Sequence, residues 1–145
     1  MRSEILHKMK TFFDSSSFAK RFIEEEGSKE VDNICQETSQ LGICVTCLPE
    51  IISALNRRLR ERAITPHDYS LAKDRLLEEI QDIQVIQLLP AVIVRSTALL
   101  ESNVLRAMDS LHLACAVEWN ADLFVSSDKA QIKAAKKSGL KTKSV

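Results

Sequence analysis

The sequence predicts a single α/β domain built around a parallel sheet of four to five strands. Short β-rich runs alternate with amphipathic stretches of ten or more residues, so successive strands must be joined by helical crossovers. Glycine and proline number three each, too few for a turn-rich all-β fold or for long linkers. The 145 residues suit one domain, residues 1–145, with room for a core.

Lys10 to Asp14 is the first strand, a buried run through Phe12 and Phe13 closed by a carboxylate. Phe18, Ala19, Phe22 and Ile23 recur at helical spacing and predict a helix from about Ser16 to Glu25, stopped by Gly27. Ser28 is the candidate N-cap of a second helix, Lys29 to about Thr38. Gly42 breaks that helix, and Ile43-Cys44-Val45-Thr46 forms strand two. Pro49 belongs to the first turn of a third helix, which carries Ile51, Ile52, Leu55 and Leu59 on one stripe and ends near Arg62. Thr65-Pro66-His67-Asp68 is a capping box that opens a fourth helix, through about Ile80.

Gln84 to Leu88 is strand three, and Pro90 to Glu101 a fifth helix. Asn103 closes that turn, and Arg106 to Trp119 is a sixth helix. Leu123 to Ser126 is strand four. Asp128 caps a last helix, Lys129 to Ser138, which Gly139 ends. A final strand over Thr142 to Val145 carries only a weak signal.

Apolar residues make up 45% and charged residues 28% of the chain, with zero formal net charge, an ordinary globular balance. Any basic surface for a nucleic acid must therefore be local. No apolar run reaches the roughly 18–20 residues that span a bilayer, and Met1 to Lys10 lacks a signal-peptide core. A cytoplasmic protein with no membrane partner is expected. Cys44 and Cys47 form a C-x-x-C, but strand geometry aims them at opposite faces. No second pair completes a zinc site, so reduced, partly buried thiols are expected for Cys35, Cys44, Cys47 and Cys115.

Four acids carry the functional reading. In an open α/β sheet, ligands bind beyond the carboxyl ends of the strands, where Asp14 stands. Glu50, Asp109 and Asp128 also fall at strand ends or helix starts. Taken singly, each is better explained as a helix cap or a partner of the helix dipole than as a catalytic group, least so Asp109, which opens a mostly apolar helix and must face something polar inside. Four converging at one sheet edge are hard to keep ionised without a cation between them. An all-oxygen donor set selects Mg²⁺ or Mn²⁺ over zinc, and the chemistry this suits is phosphodiester hydrolysis. His112, three residues after Asp109, reads as a core-edge histidine or a proton-transfer group. Without a Gly-rich phosphate loop, P-loop and Rossmann nucleotide binding are unsupported. An aspartyl-phosphate enzyme would need a second acid where Ser16 stands.

These residues resemble a known family. Phe13-Asp14-Ser15-Ser16-Ser17-Phe18-Ala19-Lys20 is similar to the D-[ST]-S-[AS]-hydrophobic-x-K opening of PIN-domain ribonucleases. Pro49-Glu50-Ile51-Ile52-Ser53-Ala54-Leu55-Asn56-Arg57 resembles their E-x-x-S-A-L-x-R helix. Leu105 to Ala114 resembles L-R-x-x-D-[AS]-L-H-L-A, the most specific of the motifs, and Phe124 to Asp128 resembles F-V-[TS]-x-D. The four occur in order over nearly the whole chain, with spacing most like VapC-type toxins of toxin–antitoxin pairs.

The resemblance implies a PIN-like domain with helices on both sheet faces and a Mg²⁺- or Mn²⁺-dependent endoribonuclease. Asp14, Glu50, Asp109 and Asp128 would be the catalytic, metal-holding acids, with Ser16 and Ser126 as supporting hydroxyls. Arg106 lies beside that site and, with Lys20 and Lys129, is a candidate contact for RNA phosphates. Arg21 and Lys133 could also rim the site. The resemblance further implies a homodimer and inhibition by a cognate antitoxin protein. Similar acids occur in RNA-processing relatives, so a silent or weakly catalytic binding module stands as the alternative. Residues 1–9 have no counterpart in the motifs and read as an N-terminal extension, with Met9 an alternative start.

Overall fold

The computed structural model describes residues 9–38 and 40–145. The expected extension, Met9 apart, and His7 lie outside the described residues. In chain order the elements are β1 (Lys10–Phe13), α1 (Ser15–Ala19), α2 (Ser28–Glu37), β2 (Gln40–Cys44), α3 (Cys47–Arg60) and α4 (Pro66–Ile80). They continue as β3 (Gln84–Ile86), α5 (Pro90–Ser102), α6 (Ala107–Glu118), β4 (Leu123–Ser126), α7 (Lys129–Lys137) and β5 (Lys141–Ser144).

Neighbouring strands pair in parallel in the order β3-β2-β1-β4-β5. The chain steps outward from β1 to β2 and β3, then returns to place β4 on the other side of β1. That reversal opens a crevice beyond the carboxyl ends of β1 and β4, where ligands of such sheets bind.

Side chains alternate across the sheet with period two, which divides the core. Phe13, Ile43 and Val125 meet α1 to α4 on one face, while Phe12, Cys44 and Phe124 meet α5 to α7 on the other. Phe12 stacks on Phe124 across the strand pair, with ring centroids 5.9 Å apart. Burying rings of this size stabilises the fold by about 1.5–3 kcal/mol each, enough to hold the short central strands in register.

Several expected boundaries move. The first helix ends at Ala19, because the Arg21 and Phe22 amides turn back to the carbonyls three residues earlier, Phe18 and Ala19. Phe22 and Ile23 are buried from this tighter turn. The cap of α2 is Gly27 at φ +93°, not Ser28. Ser28 instead ties the preceding turn, accepting from the Glu25 amide and donating to the Ile23 carbonyl. Strand two starts earlier and stops at Cys44, since Thr46 has already turned into helical conformation. Glu50 is consequently fourth in its helix.

Gly42 lies inside β2 and breaks no helix. A Cβ there would stand 2.7 Å from the Trp119 ring, so the glycine exists to let the indole lie against the strand. The Thr65–Asp68 capping box forms with both reciprocal bonds, and β4 runs Leu123 to Ser126 as expected. The weakly signalled last strand is real, one residue earlier than expected, pairing with β4 from Leu123↔Lys141 to Ser126↔Ser144. Lysines on this edge discourage pairing with another sheet.

The cysteines are free. Cys44 and Cys47 belong to opposite core layers, but because a strand gives way to a helix between them rather than because both lie on one strand. Among the described residues no helix is long and apolar enough to cross a membrane.

Candidate active site

At the crevice, four helices begin beside the ends of β1, β2 and β4, and each brings one acid. A cleft of about 360 Å³ is lined by Asp14, Glu50, Asp109 and Asp128, together with Arg106, His112 and Gln131. Asp14 and Asp128 are the N-caps of α1 and α7. Glu50 and Asp109 sit in the first turns of α3 and α6. The cap and site readings of these acids are therefore compatible: the helix starts that favour a carboxylate are also what aims the four into one space.

Asp14 is 1% exposed, and a buried carboxylate is tolerated only when hydrogen-bonded. Its Oδ1 accepts from the Ser17 amide at 2.9 Å, and Ser17 Oγ lies 2.7 Å away. Its Oδ2 accepts from Ser126 Oγ at 2.6 Å and from Gln131 Nε2 at 2.8 Å. Ser16 Oγ is 3.1 Å from both oxygens. Ser126 also accepts the Asp128 amide at 2.9 Å, which couples the end of β4 to two of the acids.

Glu50 is held through one oxygen. Its Oε2 accepts from Ser15 Oγ at 2.6 Å and Thr46 Oγ1 at 3.0 Å, and lies 2.7 Å from His112 Nε2. Burial acts to raise the Glu50 pKa, but the hydrogen bonds from His112 and Ser15 prevail and hold it below the usual carboxylate value. Burial acts to lower that of His112, and its bond to Glu50 prevails to raise it. His112 is thus a direct partner of a cleft acid, which its spacing from Asp109 did not predict.

Asp109 and Asp128 are linked by Arg106, whose guanidinium lies 3.1 Å from Asp109 Oδ2 and 3.6 Å from Asp128 Oδ2. Gln131 Nε2 reaches Asp109 Oδ1 at 3.2 Å while bonded to Asp14. The amide and the guanidinium join three acids into a chain. Mutual repulsion is thus answered within the protein, by hydroxyls, helix starts, an amide and an arginine, and a cation is not the sole means of relieving it. As the side chains stand, no three His, Cys, Asp or Glu among the described residues are arranged to hold a metal ion.

The donor chemistry nevertheless fits a hard divalent ion, being oxygen throughout. Gln131 adds a buried Oε1 with no hydrogen-bond partner, a free acceptor on a residue that lines the cleft.

Other expected cations are placed elsewhere. Lys20 turns to the Glu26 carbonyl and Glu25. Arg21 is occupied by a two-pronged contact with Glu79 and a bond to Asp32. Lys129 and Lys133 do not line the cleft, so among the described residues Arg106 is the lysine or arginine that does. Sequence reasoning missed Gln131, Ser15 and Thr46 as partners of the acids. Gln131 carried a faint signal, lying three residues after Asp128 and so over the same end of α7.

A sequence model described as the PIN domain matches residues 11–137. No curated protein sequence matches significantly. Among solved structures the chain is similar to a toxin–antitoxin complex from Klebsiella pneumoniae, at 14% identity and a TM-score of 0.66 over 85% of this chain and 90% of that one. It is similar to VapBC2 from Rickettsia felis bound to a DNA fragment from their promoter, at 12% identity and a TM-score of 0.65, covering 94% and 99%. FitAcB from Neisseria gonorrhoeae follows at 12% identity and 0.64, covering 91% and 95%. At these identities the likeness is one of fold.

Proposed function

The chain belongs to the PIN domain family, and from that premise we propose that it is a Mg²⁺- or Mn²⁺-dependent endoribonuclease, the toxin of a toxin–antitoxin pair. The observation that carries this reading is the single cleft lined by Asp14, Glu50, Asp109 and Asp128 at the point where the strand order reverses. These four would hold the ion, and Ser16 and Ser126 keep Asp14 in place. When bound, the ion would acidify an attacking water and offset charge developing on the phosphoryl oxygens. Arg106 is the cation on the cleft wall that would meet a substrate phosphate. In the reaction, water adds to phosphorus, the bond to one sugar oxygen breaks, and that oxygen takes up a proton.

Resemblance to toxin–antitoxin complexes supports a cognate antitoxin as partner, and a chain that cleaves RNA would act in the cytoplasm. An apolar row supports a homodimer. Leu89, Ile93, Val94 and Leu100 on or beside α5 are exposed, with Val104 and Met108 just beyond. Isolated exposed apolar residues are ordinary, but several gathered along one helix and the turn beyond it are what an interaction surface would offer.

The test is cleavage of RNA by purified protein. Activity with Mg²⁺ or Mn²⁺ that chelator abolishes and Asp109→Asn removes is the expected result. Cleavage that persists in chelator would overturn the metal mechanism. Folded protein that neither cleaves nor binds Mn²⁺ would favour a silent PIN-like binding module.

A further inference from the structure

Arg106 is 82% exposed in its side chain yet folds over the cleft to touch two of its acids. It is also the N-cap residue of α6, in extended conformation, and its own side chain makes no cap bond. Nothing about the helix start therefore requires the guanidinium to point inward. Its placement answers to the two acids, through an Nε–H hydrogen bond to Asp109 Oδ2 and an ion pair to Asp128 Oδ2. An ion held by those acids would need the same oxygens. An exposed arginine held only by such pairs is weakly held, since solvent screens most of the attraction.

We propose that Arg106 is an exchangeable counter-ion: it neutralises Asp109 and Asp128 before the divalent ion arrives, yields those oxygens to it, and then turns its freed guanidinium to a phosphate of the substrate. This deepens the nuclease reading and rests on it. The exchange has two physical consequences of opposite sign. The arginine competes with the ion, so it weakens metal binding. Once displaced, it presents two or more N–H donors in a fork that matches phosphate oxygens, so it strengthens substrate binding. Gln131 cannot play this part, because its amide is buried and bonded to Asp14 as well as Asp109.

The experiment is calorimetry of Mn²⁺ binding to the full chain and to R106Q, R106K and Lys129→Gln, paired with RNA cleavage kinetics. Lys129 is the control, a cation next to Asp128 that makes no contact with either acid. R106Q is expected to bind Mn²⁺ about 2- to 10-fold more tightly, the range that ion pairs made by one exposed side chain represent. Its KM for RNA is expected to rise over the same range, and Lys129→Gln should bind Mn²⁺ as the parent does. R106K, which keeps the charge and loses the fork, should recover the parent's metal affinity and not its KM. A purely structural arginine would weaken both kinds of binding together, and that result overturns the exchange. So does tightening in Lys129→Gln equal to that in R106Q, which would reflect general charge. If the parent chain binds no Mn²⁺, the metal-dependent reading itself fails and the exchange with it. If the parent binds and R106Q binds equally or less well, only the exchange fails.

Discussion

His112 Nε2 stands 2.7 Å from Glu50 Oε2, joining the interior of α6 to the first turn of α3 across the floor of the cleft. His112 is 2% exposed, and its other ring nitrogen, Nδ1, has no hydrogen-bond partner. The pair makes stability depend on pH in the metal-free protein. Glu50 is depressed below its ordinary 4.5, so its contribution is present above that value and lost as pH falls through the folded pKa. His112 is raised above its ordinary 6.5, so its contribution is present below that value and lost as pH rises through the folded pKa. The stability lost in Glu50→Gln, followed by urea melts in chelator, should be greatest between pH 4.5 and 6.5 and shrink on either side. A pH-independent difference would show that the two groups do not act as a charged pair.

Asp14→Asn should separate chemistry from fold. The four side chains around Asp14 donate to it, and an asparagine replaces one acceptor oxygen by a donor NH₂. Turned either way, the asparagine sets its NH₂ against a held donor, the Ser17 amide or the Gln131 amide that also bonds Asp109, while Ser126 and Ser16 can rotate. The expected stability loss is about 1–3 kcal/mol, visible as a lower urea midpoint. RNA cleavage should fall by about 100-fold or more, the scale of losing one electrostatic group from a reaction centre. A variant that melts like the parent and keeps its activity would remove Asp14 from the site.

Gly42→Ala should destabilise the protein without touching the cleft. The added methyl would stand 2.7 Å from the indole of Trp119, which in turn lies against Phe12 and under Lys10 Nζ. Overpacking of this kind costs about 1–3 kcal/mol. Thermal melts and the Trp119 emission maximum should both shift, while Mn²⁺ affinity should not.

Val94→Asp tests the exposed row on α5. Val94 is 69% exposed, so an aspartate there disturbs no core contact, yet a charge buried in a dimer interface is strongly unfavourable. Sedimentation should show the parent as a dimer and the variant as a monomer with an unchanged melting curve at low concentration. A monomeric parent would leave that row without the role assigned to it.

Much of this molecule is written locally. The capping box at Thr65, the break at Gly139, the apolar stripes of the helices and the run Leu123 to Ser126 all act over a few residues. Sequence alone therefore determined a parallel α/β domain and placed four acids at helix starts. Boundaries set by tertiary packing were not legible. Gly42 looked like a breaker because nothing nearby in the chain announces Trp119, and helix one looked long because Phe22 and Ile23 keep helical spacing while leaving the helix. The partners of the acids were hidden for the same reason. Gln131 is 117 residues from Asp14 and His112 is 62 from Glu50, so only the return of the chain to β4 and the stacking of α6 and α7 behind the sheet brings them together. Periodicity can say which way a side chain leaves its own helix; only the folded sheet decides what it meets there.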